Sequence, residues 1–564
     1  SNPGRVFVLS ATARKSDSHT NPRMGARTVF DGDSVVLDTD SATSDGDSDD
    51  SQPYVSAAEL SPGELWQVHG AYYNLEPFAR QHPGGIEQII AQKGKDCSTL
   101  FETVHLFDEQ PRKVLRKYYV RDVPGYEPTL AWSGDGFYPT LKRRVKAHFR
   151  RVYKEEKRRL YAGTHPNMVH HGTPAYHAAM CFFLAGVYVL YVGALAYNSA
   201  VCAALWGLFA FAAGGVGHEA LHAGTFTTPR RNRIACWLFL DMVGISSFMY
   251  QRVHTFGHHL HTNERGADPD IEVHMPGCRL SQHQERLPMH WWQCYISFVI
   301  YALALPISSL IDCKALLTGG WGHYDYPTPV DHPRPIELFG FVLGKLCFAT
   351  TLLSPLFVCE SVAIGLRQVA LMTNIGSFFV ILTFAVSHQN RKCFQHEEAL
   401  EARGVDGKPA TDFGELQVKT TCDFDAPFWQ LLHFGGLAFQ IEHHLFPTVS
   451  ICHLPQVSKI VMQACADFGL PYHHYNSWGQ AVVAHFEYLK EMGRSDVVFA
   501  DQPPPVVPCA YPPRPLYAKR WKADDILYPR HEGIRGQVDP HTGFSADLKY
   551  LPGESALRPP AKRD

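Results

Sequence analysis

Three short stretches of this sequence place histidines at spacings that suit metal binding. They are residues 218–222 (HEALH), 254–259 (HTFGHH) and 440–444 (QIEHH). A separation of four residues puts two imidazoles on one face of an α-helix, where both can reach one metal or two neighbouring metals. Adjacent histidines point in different directions, as a bridge between two metals requires. Together the stretches predict a histidine-rich metal centre.

The first stretch also matches the H-E-x-x-H motif of zinc peptidases. In that interpretation His218 and His222 bind zinc, and Glu219 is the general base of an intramembrane protease. Such a site needs one further ligand, so it does not explain two more histidine-rich stretches. Other histidines are interpreted as structural pairs or as packing and supporting groups: His170–His171, His473–His474, His261, His433 and His453.

A second chemical pattern lies nearer the N-terminus. His82, Pro83, Gly84 and Gly85 are consecutive, and His105 follows 23 residues after His82. Low-spin haem iron takes two axial nitrogen ligands, which two imidazoles from separate loops can supply. Proline fixes the backbone after the first histidine, and the glycines allow a tight turn. We therefore predict a haem site with His82 and His105 as ligands.

Long uncharged segments predict the membrane elements that must position the metal site. Residues 176–197 and 199–217 are long enough to cross a hydrocarbon layer of ~30 Å as helices. Only Asn198 separates them, which predicts a tight helical hairpin. Three further segments, 291–311, 338–358 and 368–387, are also apolar.

The number of crossings follows from the histidine stretches. An odd number would put residues 218–261 and 440–444 on opposite sides of the membrane. Because one site needs them on the same side, we expect segment 291–311, which contains Pro306, to lie in the interface. Segments 338–358 and 368–387 then form a second hairpin, and about four helices cross.

Charge and composition give the orientation and exclude some functions. Net charge is −3 and the 14 cysteines include no C-x-x-C pair, so neither nucleic-acid binding nor a disulfide framework is expected. Residues 142–159 contain ten Lys or Arg against two Glu, and Arg230, Arg231 and Arg233 follow the first hairpin. Lys and Arg are in excess on cytoplasmic loops, so the histidine stretches are predicted to face the cytosol.

Changes in composition along the chain divide its 564 residues into four parts. We expect an acidic, Ser-rich disordered tail at 1–53 and a small globular haem domain at 54–127. A membrane domain is expected at 128–490, and a Pro-rich extension at 491–564. The predicted fold is multi-domain: a small α+β haem domain, then an all-α membrane domain with a cytosolic histidine-rich cap.

These motifs resemble two known families. Residues 54–126 resemble cytochrome b5, whose mark is the H-P-G-G loop with a distal histidine downstream. The three histidine stretches resemble membrane fatty acid desaturases, and Gln440 in place of a histidine is typical of the front-end branch with a fused cytochrome b5 domain. The first stretch departs from the family's usual H-D-x-x-H by having Glu219.

The resemblance implies cofactors and site residues. They are haem b at His82 and His105, two non-haem irons, and Gln440 as a weak ligand or a supporting hydrogen-bond donor. His388, directly after segment 368–387, takes the place of a further family ligand. The implied iron ligands are His218, His222, His254, His258, His259, His388, His443 and His444.

The resemblance also implies the reaction and the partners. It implies O2-dependent front-end desaturation of long-chain polyunsaturated acyl chains, of Δ5 or Δ4 type, carried by acyl-CoA or by a phospholipid. Electrons would come from NAD(P)H through a separate cytochrome b5 reductase. The implied location is the endoplasmic reticulum membrane, with both termini cytosolic. Sphingoid-base desaturation, zinc proteolysis and a membrane-tethered electron carrier with a degenerate second domain remain as alternatives.

Overall fold

The computed structural model describes residues 60–132, 134–156, 164–281, 284–322, 328–393, 412–426 and 435–494. The predicted tail 1–53, the chain after Arg494 and His433 lie outside these ranges. Every cysteine within them is free.

The N-terminal part is a small sheet flanked by short helices. Antiparallel strands β1, β2 and β3 form the sheet in that order, and Trp66, Val68, Leu75 and Cys97 pack as its core. The first predicted haem ligand follows a 3-10 turn that ends at Gln81, and the second directly follows α2. The elements are β1 (Trp66–Val68), β2 (Ala71–Tyr73), α1 (Ile86–Ile90), α2 (Ser98–Val104), α3 (Glu109–Arg116) and β3 (Tyr119–Asp122).

The remaining elements form the helical part of the chain. Its α-helices are α4 (Phe137–Glu156), α5 (Pro174–Ala196), α6 (Ala200–Leu221), α7 (Pro229–Phe239), α8 (Ser247–Tyr250), α9 (Pro269–Glu272), α10 (Gln293–Thr318), α11 (Pro335–Val358), α12 (Val362–His388), α13 (Phe413–Thr420), α14 (Gln440–Leu445), α15 (Leu454–Phe468) and α16 (Trp478–Arg494). Short strand pairs are β4 (Gly320–Trp321) with β5 (Thr328–Pro329), and β6 (Asp423–Phe424) with β7 (His474–Tyr475).

The basic segment forms amphipathic helix α4, which joins the two parts. Its apolar face is buried in the main core together with Leu445 and Phe446, which follow the third histidine stretch. Tyr138 on α4 donates a hydrogen bond of 2.9 Å to the Leu445 carbonyl oxygen. Helix α4, which is basic on one face and apolar on the other, therefore packs against the end of the third stretch.

The two predicted hairpins are present as α5–α6 and α11–α12. Asn198, in the left-handed region with φ of 49°, makes the α5–α6 turn. It accepts hydrogen bonds from the Glu360 amide (3.1 Å) and from Arg367 (2.7 Å), so both hairpin turns meet at one end of the bundle. The histidine stretches lie at the opposite ends of these helices.

Helix α10 includes most of the segment predicted to lie in the interface. Within the described residues five helices, α10 among them, are long and apolar enough to cross a membrane. At its start, Gln293 donates to the carbonyl oxygens of Leu489 on α16 and of Arg279. In its middle, the Leu305 amide and the Tyr301 carbonyl oxygen both bond the Ser377 hydroxyl of α12. The interfacial placement of α10 and the number of crossings therefore stay predictions.

Candidate functional site

Eight buried histidines from four separate elements converge on one end of the helical bundle. They form two groups, in each of which the nitrogen atoms lie within 4.8 Å of one another. Group one contains His218, His222, His254, His259 and His443, and group two contains His258, His388 and His444. All eight histidines that were predicted from the sequence as metal ligands therefore lie in these two groups.

The elements explain how adjacent histidines are divided between the groups. The second stretch lies on a π-helix, Gln251–His258, in which the His259 amide bonds the His254 carbonyl oxygen five residues back. Such π-helical turns are rare and frequent at functional sites. His254 and His259 therefore share group one, whereas His258 belongs to group two. In the same way α14 presents His443 to group one and His444 to group two.

Hydrogen bonds at Nδ1, the ring nitrogen that points away from the site, fix the orientation of two histidines of group two. Nδ1 of His258 lies 3.0 Å and 3.1 Å from the carboxylate oxygens of Asp268, which is fully buried. Nδ1 of His444 lies 2.9 Å from Oε1 of Gln417 on α13. When the second nitrogen donates to an acceptor, Nε2 keeps its lone pair and faces the site, as in protein metal centres.

The positions of the histidine nitrogen atoms in the two groups suit metal binding. The Nε2 atoms of His222, His258 and His443 are buried without a hydrogen-bond partner, which is costly unless a ligand satisfies them. His218 Nε2 and His259 Nε2 lie 2.7 Å and 3.1 Å from His254 Nε2. Burial lowers the pKa of His259, His443 and His444 well below the usual range, so these rings are neutral, the form that binds metal.

Gln440 lies at the edge of group two. Its Nε2 atom is 3.1 Å from Nε2 of His388 and 3.3 Å from Nε2 of His444, and its Oε1 atom has no hydrogen-bond partner. Rotating the amide by half a turn would direct the oxygen at the same two rings. The amide is thus in reach of a metal held by group two, either as an oxygen ligand or as a hydrogen-bond donor.

The geometry disfavours a zinc peptidase site. His218 and His222 are joined by three further histidines, whereas such a site needs one further ligand. Glu219 belongs to neither group, and its Oε1 accepts a hydrogen bond of 3.2 Å from the Ile451 amide. This carboxylate ties α6 to the chain after α14, so it is not placed as a general base beside the metal.

The H-P-G-G loop and His105 form a second site in the N-terminal part. The two rings face each other with centroids 6.2 Å apart. His82 Nδ1 and His105 Nδ1 lie 3.1 Å and 2.9 Å from the carbonyl oxygens of Gly85 and Phe101, so both Nε2 atoms are free to bind iron. A Cβ on Gly84 would lie 2.8 Å from the His82 ring, which explains the glycine.

The electrostatics of this site also suit haem. Burial lowers the pKa of His82, and burial together with the charge of His82 lowers the pKa of His105 to about 4, so both rings are neutral at pH 7. His69, the other nearby histidine, instead bonds Glu102 at 2.7 Å. Apolar residues line the cavity between the rings: Val68, Leu75, Phe78, Leu100, Phe101, Val104 and Leu115.

One cavity of about 600 Å³ links the two sites. Pro83 and Gly84 line it beside His82 and His105, and His222 of group one lines its other end. The residues between include His170 and His171. These two histidines belong to neither metal group, consistent with their interpretation as structural. His261 bonds Glu264 at 2.6 Å and His453 bonds the His171 carbonyl oxygen at 3.0 Å.

Sequence reasoning missed the carboxylates and the amide around group two. Asp268 and Gln417 hold histidine rings, and Asp270 lies 3.5 Å from His258 Nδ1. The Asp268-Pro269-Asp270 run, which begins nine residues after the second stretch, was a usable signal for the carboxylates, since metal-bound histidines are oriented by such groups. Gln417 carries no sequence signal, because it reaches His444 only through the packing of α13.

Comparisons with known proteins match both parts of the chain. A family model described as "Fatty acid desaturase" matches residues 193–476, and one described as "Cytochrome b5-like Heme/Steroid binding domain" matches 55–124. The acyl-lipid (8-3)-desaturase of Physcomitrium patens is 31% identical over 459 residues, 77% of this chain and 90% of the relative.

Two further relatives also align along most of their length. The probable Delta(5) fatty acid desaturase C of Dictyostelium discoideum is 26% identical over 454 residues, 77% of this chain and 92% of the relative. The chloroplastic acyl-lipid (7-3)-desaturase of Chlamydomonas reinhardtii is 28% identical over 440 residues, 75% of this chain and 80% of the relative.

Proposed function

Since this chain belongs to the fatty acid desaturase family and carries an N-terminal cytochrome b5 domain, we propose that it is a front-end desaturase of long-chain polyunsaturated acyl groups. It is an oxidoreductase and a multi-pass membrane protein. The observation that carries the proposal is the convergence of eight buried histidines on two neighbouring metal positions, joined by one cavity to a bis-histidine haem site.

The proposed metal centre contains two irons. Group one would hold the first iron, and group two with the amide of Gln440 would hold the second. Bound iron would activate O2 to remove hydrogen from an unactivated methylene carbon, which zinc, lacking redox chemistry, does not do. The two neighbouring histidine groups would hold the metals side by side, while Asp268 and Gln417 hold the rings of His258 and His444 in place.

The overall reaction accounts for all atoms and electrons. Two neighbouring methylene groups each lose one hydrogen atom and become a cis double bond. O2 takes up these two hydrogens, two electrons from the donor and two protons, and leaves as two water molecules. His82 and His105 would hold the haem, which would supply the donor electrons one at a time, and a separate NAD(P)H-cytochrome b5 reductase would keep it reduced.

The proposed substrate is a lipid-linked polyunsaturated acyl chain. The support is the names of the relatives, which include acyl-lipid (8-3), Delta(5) and acyl-lipid (7-3) desaturases. We propose a double bond of Δ5 or Δ4 type, between an existing bond and the carboxyl end. Phospholipid-bound chains are favoured over acyl-CoA because several relatives are named acyl-lipid enzymes.

Expression in yeast tests this proposal directly. Cells producing the chain are fed eighteen-, twenty- and twenty-two-carbon polyunsaturated acids, and the fatty acids of each lipid class and of the acyl-CoA pool are profiled. We expect a product with one additional double bond, first in phospholipids, and its position gives the regiochemistry. The matched control is the His443→Ala/His444→Ala variant, which keeps the haem site but removes one ligand from each group.

Each possible negative result of this experiment points to a different error in the proposal. A haem-loaded protein with about two non-haem irons and no new fatty acid would overturn the substrate class, and sphingoid bases would be profiled next. Haem without non-haem iron would overturn the metal assignment and favour an electron carrier. Zinc in place of iron would favour the alternative function, a zinc peptidase.

A further inference from the structure

The loop that follows His82 is held against the membrane domain by charge. Glu87 on α1 makes ion pairs with Arg233 on α7 and with Arg334, directly before α11. The exposed fractions are 11% for the Glu87 side chain, 34% for Arg233 and 26% for Arg334, so this contact is partly shielded from water and from salt screening. Gly85 is close to the same surface, since a Cβ built on it would lie 3.4 Å from Cβ of Pro229.

Charge complementarity supports the contact. Among the described residues of this cluster of ion pairs, the membrane domain supplies three guanidinium groups, on Arg233, Arg252 and Arg334, and two carboxylates. Asp331 pairs with Arg252, and Glu337 contacts both Arg252 and Arg334. Glu87 of the haem domain supplies a third carboxylate, which balances the three positive charges of these described groups.

A second ionic contact lies on the other side of the haem site. Lys142 of α4 donates to the Glu102 carbonyl oxygen at 2.7 Å and lies 3.3 Å from its carboxylate and 3.4 Å from Asp108. Lys146 also pairs with Asp108. Glu102 and Asp108 bracket His105 in the sequence, so both haem-ligand loops are fixed to the membrane domain.

We propose that the contact of Glu87 with Arg233 and Arg334 docks the haem domain so that the haem faces group one through the shared cavity. These three residues are positioning residues: they touch neither metal nor substrate, but they set the distance over which electrons pass. The role of this contact in electron transfer rests on the proposed function, whereas the docking itself can be measured independently of that function. Electron delivery is then intramolecular and independent of enzyme concentration.

The test uses the full-length holoenzyme in lipid nanodiscs. Hydrogen–deuterium exchange of residues 82–90 and 229–233 reports docking, and the decay of reduced-haem absorbance after mixing with O2 and substrate reports electron delivery. We expect Glu87→Arg to speed exchange in both segments and to slow haem reoxidation by at least roughly tenfold, because it places like charges in a partly shielded contact. The haem spectrum and iron content should stay unchanged.

A charge swap and a matched control make the result specific. Glu87→Arg/Arg233→Glu keeps the net charge and restores an opposite-charge pair, so we expect it to recover both readouts at least in part. Glu76→Arg makes the same charge change at an exposed ion pair with Lys93 inside the haem domain, so both readouts should match the wild type.

Several outcomes would overturn the docking contact. Unchanged exchange in Glu87→Arg would do so, as would equal loss in Glu76→Arg or no recovery in the charge swap. A wild-type enzyme that shows the docked exchange pattern but makes no unsaturated product in yeast would instead count against the proposed function.

Discussion

At the scale of single residues, the hydrogen-bond partner of Nδ1 sets the orientation of a histidine ring in the site. Asp268 is the clearest case, because its buried carboxylate accepts from His258 Nδ1 and also from the amides of Asn263 and Asp270. One carboxylate thus orders a metal-facing ring and the turn that follows it. Removing its charge should loosen group two without changing any proposed ligand.

We expect Asp268→Asn to lower iron affinity by about 10- to 100-fold, the usual cost of losing such an orienting partner. The measurement is iron retained per chain during titration with a chelator. Glu264→Gln is the control, since Glu264 also pairs with a histidine, His261, that lies in neither metal group. Equal iron loss in both variants would contradict the prediction.

At the scale of elements, two helices that carry ligands approach each other at glycines. A Cβ on Gly207 of α6 would lie 2.9 Å from the Met372 carbonyl oxygen and 3.0 Å from the Gly376 nitrogen, both on α12. Small residues let membrane helices pack closely. Because α6 ends in His218 and His222 and α12 ends in His388, this contact sets the separation of the two metal groups.

Gly207→Ala should therefore destabilise the protein by about 1–3 kcal/mol, the usual cost of overpacking, and reduce its iron content. Gly214→Ala on the same helix is the control, because a Cβ there meets no atom within 4 Å. Both variants gain the same helix propensity, so the difference in their thermal unfolding isolates the clash. Equal stability of the two variants would refute the prediction.

The contact between α2 and α4 depends on pH. Burial raises the pKa of Glu102, but a hydrogen bond from His69 and the charges of Lys142 and Arg112 outweigh it and lower the pKa from 4.5 to about 2. A carboxylate with a lowered pKa stabilises the fold above its unfolded value and loses that contribution as pH falls towards its folded value. The relevant window thus lies between about pH 4.5 and about 2.

We expect the free energy of unfolding of the haem domain to fall across this window by up to ~3 kcal/mol. Denaturant unfolding followed at the haem band, at a series of pH values, measures it. Glu102→Gln should flatten the profile, and parallel profiles for variant and wild type would disprove the assignment.

At the scale of the whole molecule, the site requires α6 and α12 to end on the same side of the membrane. The turns at Asn198 and Glu360 meet at the opposite end of the bundle. The interfacial placement of α10, the four crossing helices and a cytosolic site in the endoplasmic reticulum stay predictions.

Glycosylation mapping tests this topology. We expect a glycosylation cassette with flexible spacers to be modified in yeast when it is inserted at Asn198 or at Glu360. The same cassette between α10 and α11 should stay unmodified, because that connection is predicted to be cytosolic. Modification there would mean that α10 crosses, and modification at none of the sites would contradict the proposed location.

Much of the chemistry was predictable because it depends on residue type and local spacing. The H-P-G-G loop and the paired histidines could be read from the chain, whereas His388 was expected only from the resemblance to the desaturase family. The π-helix was not predicted: a separation of four left open whether His254 and His258 serve one metal or two, and the structure groups His254 with His259. The partners Asp268 and Gln417 were missed because they act through packing.

The sequence by itself determined which residues are candidate metal ligands, which segments are apolar enough to enter a membrane, and that a cytochrome b5-like domain is joined to a domain rich in histidine motifs. Local composition and periodicity are sufficient for these properties. The tertiary structure decided how five and three histidines divide between two groups, and that Glu87 meets Arg233 and Arg334. Glu87 is 146 and 247 positions from its two partners, and the histidine groups bring the first and second stretches together with the third. Only packing of the folded chain brings residues so far apart in sequence into contact.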